Sequence, residues 1–127
     1  MSSTRGRRDD PEIADDDLLW RALLRWHIVS DGEGGFRVSS KAFKDESGEV
    51  SVDIARRTTI EEARGRKRFP EMAELPASVP RANGQVVASD PIDSNPAHGL
   101  ICPVAPQVRA DRAELEAMAA ASRILLP

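Results

Sequence analysis

Six side chains able to do chemistry fall in two stretches of this sequence, Phe36–Ile54 and Asp90–Ile101: Ser39, Ser40, Asp53, Asp90, Asn95 and His98. His98 leads, because histidine alone has an unperturbed pKa near neutrality and so gives and takes protons readily. It follows the loop composition DPIDSNPA and precedes an apolar run, a loop-to-strand edge of the kind where rigid scaffolds carry functional groups. Asp90, Asp93 and Asn95 are near enough in the chain to orient its ring. The plainer alternative is a histidine whose ring bonds only to the backbone of an Asx-Pro turn. Ser40, with His98 as base and Asp53 behind it, writes a nucleophile triad on paper. No nucleophile elbow surrounds any of these serines, and hydroxyls in hairpins ordinarily bond across strands. His27 and His98 with Asp53, Asp90 or Asp93 make a chemically sound metal set. Their spacing follows no ligand motif, so neither metal nor cofactor is expected.

Charge supplies a second candidate. The window Arg56–Arg68 holds Arg56, Arg57, Arg64, Arg66, Lys67 and Arg68 against Glu61 and Glu62, a net of +4 in a chain whose overall charge is −3. Arg64, Arg66, Lys67 and Arg68 are its binding residues if it meets nucleic acid or another acidic partner; otherwise it is a solvated helix face. Arg21 and Arg25, four apart, share one face of a helix, as a solvated stripe or an anion site. The glycine-rich SDGEGG at Ser30–Gly35 is followed by a strand-like FRVSS, whereas a phosphate-cradling loop runs into a helix N-terminus.

These residues need a scaffold, and a chain of 127 residues supplies one domain. The start MSSTRGRRDD has arginines but no apolar run behind them, so residues 1–15 read as a disordered tail and 16–127 as one domain. No apolar run approaches the ~20 residues that a membrane helix needs. One cysteine, Cys102, rules out an internal disulfide, and a reducing cytoplasmic setting follows as the default. Cys102 itself reads as a small buried hydrophobe. With no tyrosine and five aromatics, platforms for stacking bases or sugars are scarce.

Aspartates before Leu18–Trp26, with Leu19, Leu23 and Trp26 at helical spacing, predict a first helix from about Asp16 to His27. A hairpin joins Trp26–Val29 to Phe36–Ser39, and a second joins Ala42–Phe43 to Val50–Ile54, where Ser51 and Asp53 alternate with buried neighbours. Thr58–Thr59 with Glu61–Glu62 is a capping box for a short helix over 60–67. Glu71–Val79 carries one strand that Pro76 confines to an edge or end. Strands follow at Gln85–Ser89 and His98–Cys102, and Asp111 caps a last helix, Arg112 to Leu125, with an apolar stripe at Leu115, Met118, Ala119, Ser122 and Leu125. The fold class is α+β, a small mainly antiparallel sheet flanked by an N-terminal and a C-terminal helix.

Read in order, SSKAF, GEVSVD and DPIDSNPAHGLI resemble a set of small uncharacterised bacterial proteins that pair an SSxAF stretch with an SVD strand and a C-terminal NPAH segment. The likeness spans Leu18 to Ile101, takes in Ser39, Ser40, Phe43, Ser51, Asp53, Asn95 and His98, and implies one folded unit without implying an activity. Three functions stand as expectations. The first is an accessory module acting with a separate protein partner. The second is a small hydrolase or transferase using His98 with an acidic partner. The third is nucleic-acid contact through Arg56–Arg68.

Overall fold

Val50, Val52 and Ile54 alternate with Ser51 and Asp53, and in the computed structural model, which describes residues 7–68, 70–104 and 109–126, this stretch is strand β4, Val50–Ile54. It lies in a six-stranded sheet with β1 (Leu18–Ala22), β5 (Met72–Pro76), β6 (Gln85–Ser89), β7 (His98–Pro103) and β8 (Arg123–Leu125), in the order β6-β7-β4-β1-β5-β8. Every pairing in it is antiparallel. β2 (Ile28–Ser30) and β3 (Phe36–Val38) form a separate hairpin beyond Arg25–His27, a single 3-10 turn. Three α-helices are found among the described residues: α1 (Ile60–Gly65), α2 (Ser78–Ala82) and α3 (Arg112–Ala121). The fold is therefore α+β around an antiparallel sheet.

The expected first helix is instead β1, and the first helix of the chain is α1, in mid-sequence. A strand covered on both faces is a continuous apolar run, which periodicity alone does not separate from a buried helix. That is the case for LLWRA: Leu19 packs in the main core with Ile54 and Leu75, while Trp20 lies on the opposite face with Ala63 and Met72. Burying Leu19 alone is worth roughly 1.5–3 kcal/mol, several times any helix-propensity difference across the segment. The aspartates that looked like caps serve as ion-pair partners. Asp17 binds Arg56 at 3.0 Å and Asp15 binds Arg81 at 2.8 Å.

The main core lies between one face of the sheet and a cover made of α3, the hairpin and the 3-10 turn Ser40–Phe43, with Met118, Ala119, Val38, Ala42 and Phe43 facing inward. The apolar stripe of the terminal helix is thus spent inside the molecule at Met118 and Ala119. The helix is capped as expected, Asp111 accepting from Glu114 N–H and Glu114 accepting from Asp111 N–H. It stops at Ala121, and the chain returns as β8 on the outer side of β5. Ala42–Phe43, expected as a strand, is part of that 3-10 turn, with Ser39 capping Lys41 N–H. β5 is an interior strand, and Pro76 is tolerated because it closes the strand. Residues 1–6 lie outside the described residues. Within residues 7–15 of the expected tail, Ile13 is 1% exposed, Asp10 N–H bonds Val87 C=O, and Arg81 binds Asp9 and Asp15, while most of the other side chains there are exposed. Among the described residues, no helix is long and apolar enough to cross a membrane.

Candidate functional site

The second face of the sheet carries Trp20, Asp53 and His98, because residues paired across antiparallel strands share a face: Trp20 pairs with Asp53, and Asp53 with His98. α1 covers the Trp20 end, held at its start by Thr59, whose hydroxyl accepts from Glu62 N–H. The turn that follows α1 brings Arg66 and Lys67 over β4. From the other side comes the loop Asp90–Ala97, drawn tight by reciprocal backbone bonds between Ile92 and Asn95. Between them lies a cleft of about 360 Å³ lined by Arg21, Ser51, Asp53, Arg66, Lys67, Ile92, Ser94, Asn95 and His98, together with Ala22 and Val52.

Asp53 is the floor of this cleft and is 1% exposed. A buried carboxylate is stable only when paired and hydrogen-bonded. Lys67 Nζ donates to Oδ2 at 2.7 Å, Asn95 Nδ2 donates to Oδ1 at 2.6 Å, and Arg66 Nη2 stands 3.7 Å from Oδ2. Asn95 is itself buried, and its Oδ1 accepts from Ala97 N–H at 3.0 Å. Both ends of the amide are therefore committed, and its orientation is fixed by the network.

Arg66 is less well served. Its Nη2 donates to Thr58 Oγ1 at 2.9 Å, while its buried Nε–H meets no acceptor among the described residues. An unmet buried donor costs about 1–3 kcal/mol. Arg21 reaches the cleft where β1 and β4 part, since only Leu19 and Trp20 pair with β4. Its Nε donates to Ala42 C=O at 2.8 Å and its Nη1 to Ser51 C=O at 3.1 Å. Burial pushes the Arg21 pKa down, the charge of Asp45 opposing that. No carboxylate pairs with Arg21 among the described residues.

His98 stands at the mouth on the first residue of β7. Its Nδ1 is 2.9 Å from Asp90 C=O and 3.1 Å from Asp90 Oδ2. Both partners are acceptors, so Nδ1 carries the hydrogen, and in the neutral ring Nε2 carries the lone pair. Asp90 is held in turn by Arg7 Nη1 at 3.3 Å and by its own N–H bond to His98 C=O. A ring whose Nδ1–H is taken by the Asp90 carbonyl, with the Asp90 carboxylate 3.1 Å away, can take up a proton at Nε2.

Of the residues singled out in the sequence, Asp53, His98, Arg66 and Lys67 meet in this cleft, joined by Asn95 and by Arg21. Ser40 does not line it; Ser40 opens the 3-10 turn after Ser39. The written triad also fails at its acid, because Asp53 is bound to Lys67 and Asn95 while Asp90 orients His98. Asp93 does not line the cleft. Arg64 turns away, its Nη2 donating to Leu126 C=O. Arg56 and Arg57 bind Asp17 and Ser89, so this part of the basic window is spent on partners within the chain. His27 is buried on the far side, its Nδ1 accepting from Leu24 N–H at 3.0 Å. Among the described residues no three His, Cys, Asp or Glu side chains converge on a metal position. Cys102 is buried, and desolvation pushes its thiol pKa up to about 11, leaving it a packing residue.

The sequence hides the place of Arg21 behind the helix reading, in which it shares a helix face with Arg25. Asp90 was within reach of His98 by spacing alone. Compared with known proteins, the chain matches no family model, no curated protein and no solved structure.

Proposed function

We propose that the chain is a small enzyme, a hydrolase or transferase, whose acid–base group is His98 with Asp90 as its positioning residue. The observation that carries the reading is the placement of His98 Nδ1 between the carbonyl and the carboxylate of Asp90 at the wall of a formed cleft. A histidine kept only for structure needs one bond to backbone. Here the Asp90 carboxylate also stands 3.1 Å from the same nitrogen, and the other nitrogen, without a partner among the described residues, is left for a substrate. The bacterial, cytoplasmic setting expected from the sequence belongs to the same proposal.

The test is turnover by the full chain against a panel of esters and phosphomonoesters, with His98→Gln and Asp90→Asn beside it. Activity that falls about 100-fold or more in His98→Gln at an unchanged melting temperature supports the reading. In Asp90→Asn, activity falls less and its pH profile moves. Turnover indifferent to His98→Gln, or a His98→Gln chain that no longer folds, would overturn it.

One observation favours the accessory-module reading instead. Trp26, in the 3-10 turn Arg25–His27, is 63% exposed and Phe36, on β3, is 70% exposed, and a contiguous exposed apolar patch marks a protein contact. A Trp26→Ser, Phe36→Ser double variant that folds normally and loses a stoichiometric partner supports that reading.

A further inference from the structure

The cleft carries more positive charge than its own carboxylate neutralises. Arg21, Arg66 and Lys67 line it against Asp53 alone, so with His98 neutral the walls hold two positive charges in excess. Asp53 takes its bonds from Lys67 and Asn95, which leaves Arg66 at 3.7 Å with a buried Nε–H unmet among the described residues. Arg21 is desolvated with two carbonyls, not an anion, for partners. Guanidinium groups in this state are matched by oxyanions, which accept from the planar fork at two points.

We propose that this cleft binds a small non-aromatic phosphate monoester, its phosphoryl group taken by Arg21, Arg66 and Lys67. This rests on the reading of the cleft beside His98 as the substrate site. A phosphate monoester brings a charge of about −1.5 to −2 near neutral pH, which balances the excess where a single carboxylate leaves half of it. The remainder of the ligand is fixed by the lining. Ser51 and Ser94 offer hydroxyls, and Ile92, Ala22 and Val52 offer a little apolar surface. Among the described residues no aromatic ring lines the cleft on which a base would stack. At about 360 Å³ it is at the small end of ligand sites, fitting a sugar phosphate better than a nucleotide.

The experiment is isothermal titration of the full chain with ribose 5-phosphate, ribose, inorganic phosphate, acetate and adenosine 5′-monophosphate. Ribose 5-phosphate is expected to bind with Kd below about 1 mM, more tightly than inorganic phosphate, with ribose and acetate silent. Arg21→Gln and Arg66→Gln each weaken it about tenfold or more, while Arg112→Gln, on the exposed side of α3 and outside the cleft, leaves it within about threefold. Should either arginine variant fail to fold, amide NMR shifts on titrating the unaltered chain decide: they fall on residues 51–53, 66–67 and 94–98 if the site is right. Shifts elsewhere, binding indifferent to both arginines, or tighter binding of the adenosine nucleotide would overturn the proposal. Failure of all phosphates to bind, with His98-dependent turnover of a neutral ester, would end this inference and leave the acid–base reading standing. Phosphate binding without any His98-dependent turnover would do the reverse.

Discussion

Asp53 and His98 are register partners across β4 and β7, on one face of the sheet, yet their side chains answer to different groups. Asp53 turns into the protein, to Lys67 and Asn95, whereas His98 turns to Asp90. Adjacent acid and base are thereby kept apart. Asp53 anchors the cleft floor by holding the turn after α1 and the 90–97 loop to the same strand. His98, one strand over, keeps Nε2 without a hydrogen-bond partner among the described residues. The SVD and NPAH segments, far apart in sequence, meet at this point, and the SSKAF segment joins them through Ala42 C=O, which accepts from Arg21.

Breaking the Asp53 anchor has a predictable cost. Asp53→Asn removes the charge that Lys67 Nζ meets at 2.7 Å and leaves a half-buried ammonium without a counter-ion. Removing one member of a buried pair costs roughly 3–5 kcal/mol. Lys67→Met in the Asp53→Asn background recovers part of that, since no charge is then stranded. Denaturant unfolding of the wild type, both single variants and the double variant closes the cycle. Additive losses would show that the two side chains do not act as a pair.

His27 predicts how stability depends on pH. Burial, with the charge of Arg21 adding to it, holds its pKa below the ordinary histidine value. Its Nδ1 also accepts Leu24 N–H, which a proton there would forbid. In the unfolded chain the ring takes a proton near pH 6.5, while the folded ring resists. The unfolded state therefore binds more protons below that pH, and stability falls as pH drops from about 7. The slope is at most about 1.4 kcal/mol per unit, and it levels off once the folded ring protonates too. Asp17, lowered chiefly by its bond to Arg56, acts in a separate window below its ordinary value of about 3.8. His27→Gln, whose amide oxygen accepts Leu24 N–H without titrating, flattens the stability profile between pH 7 and 5. A variant with the same slope as the wild type would remove His27 from the account.

Local signals in the sequence were sound wherever local chemistry decides. The hairpin around Ser30–Gly35, the alternation in Val50–Ile54, the Thr59 and Asp111 caps and the strands at Gln85 and His98 each follow from turn, cap or period-2 patterns. β1 was not legible, because what makes LLWRA a strand is cover from both sides by segments 30 to 60 residues away. α2 is five residues long and lacks a side-chain cap, so it leaves no start signal. For the site, the alternation gave the face of Asp53 but not its burial, which depends on Lys67 and Asn95 arriving from two other elements.

Gly99, next to His98, tests how tightly that edge is built. It pairs with Val52 on one side and Ser89 on the other. A Cβ placed there would stand 2.9 Å from Ala88 C=O and 3.1 Å from Ile54 Cδ1. The carbonyl belongs to the backbone of β6 and has no rotamer by which to yield, and Ile54 is locked in the core. Gly99→Ala is therefore expected to destabilise by about 1–3 kcal/mol as β7 is pushed off β6, and to displace His98 from Asp90. Gly65 is the opposite case. It lies in α1 with nothing within 4 Å of an added Cβ, so Gly65→Ala gains roughly 0.5–1 kcal/mol by limiting the unfolded chain. Thermal unfolding of the two variants beside the wild type reads both signs at once. A neutral Gly99→Ala would mean that β6 and β7 can part at this point, and that His98 stands on a looser edge than its two bonds to Asp90 imply.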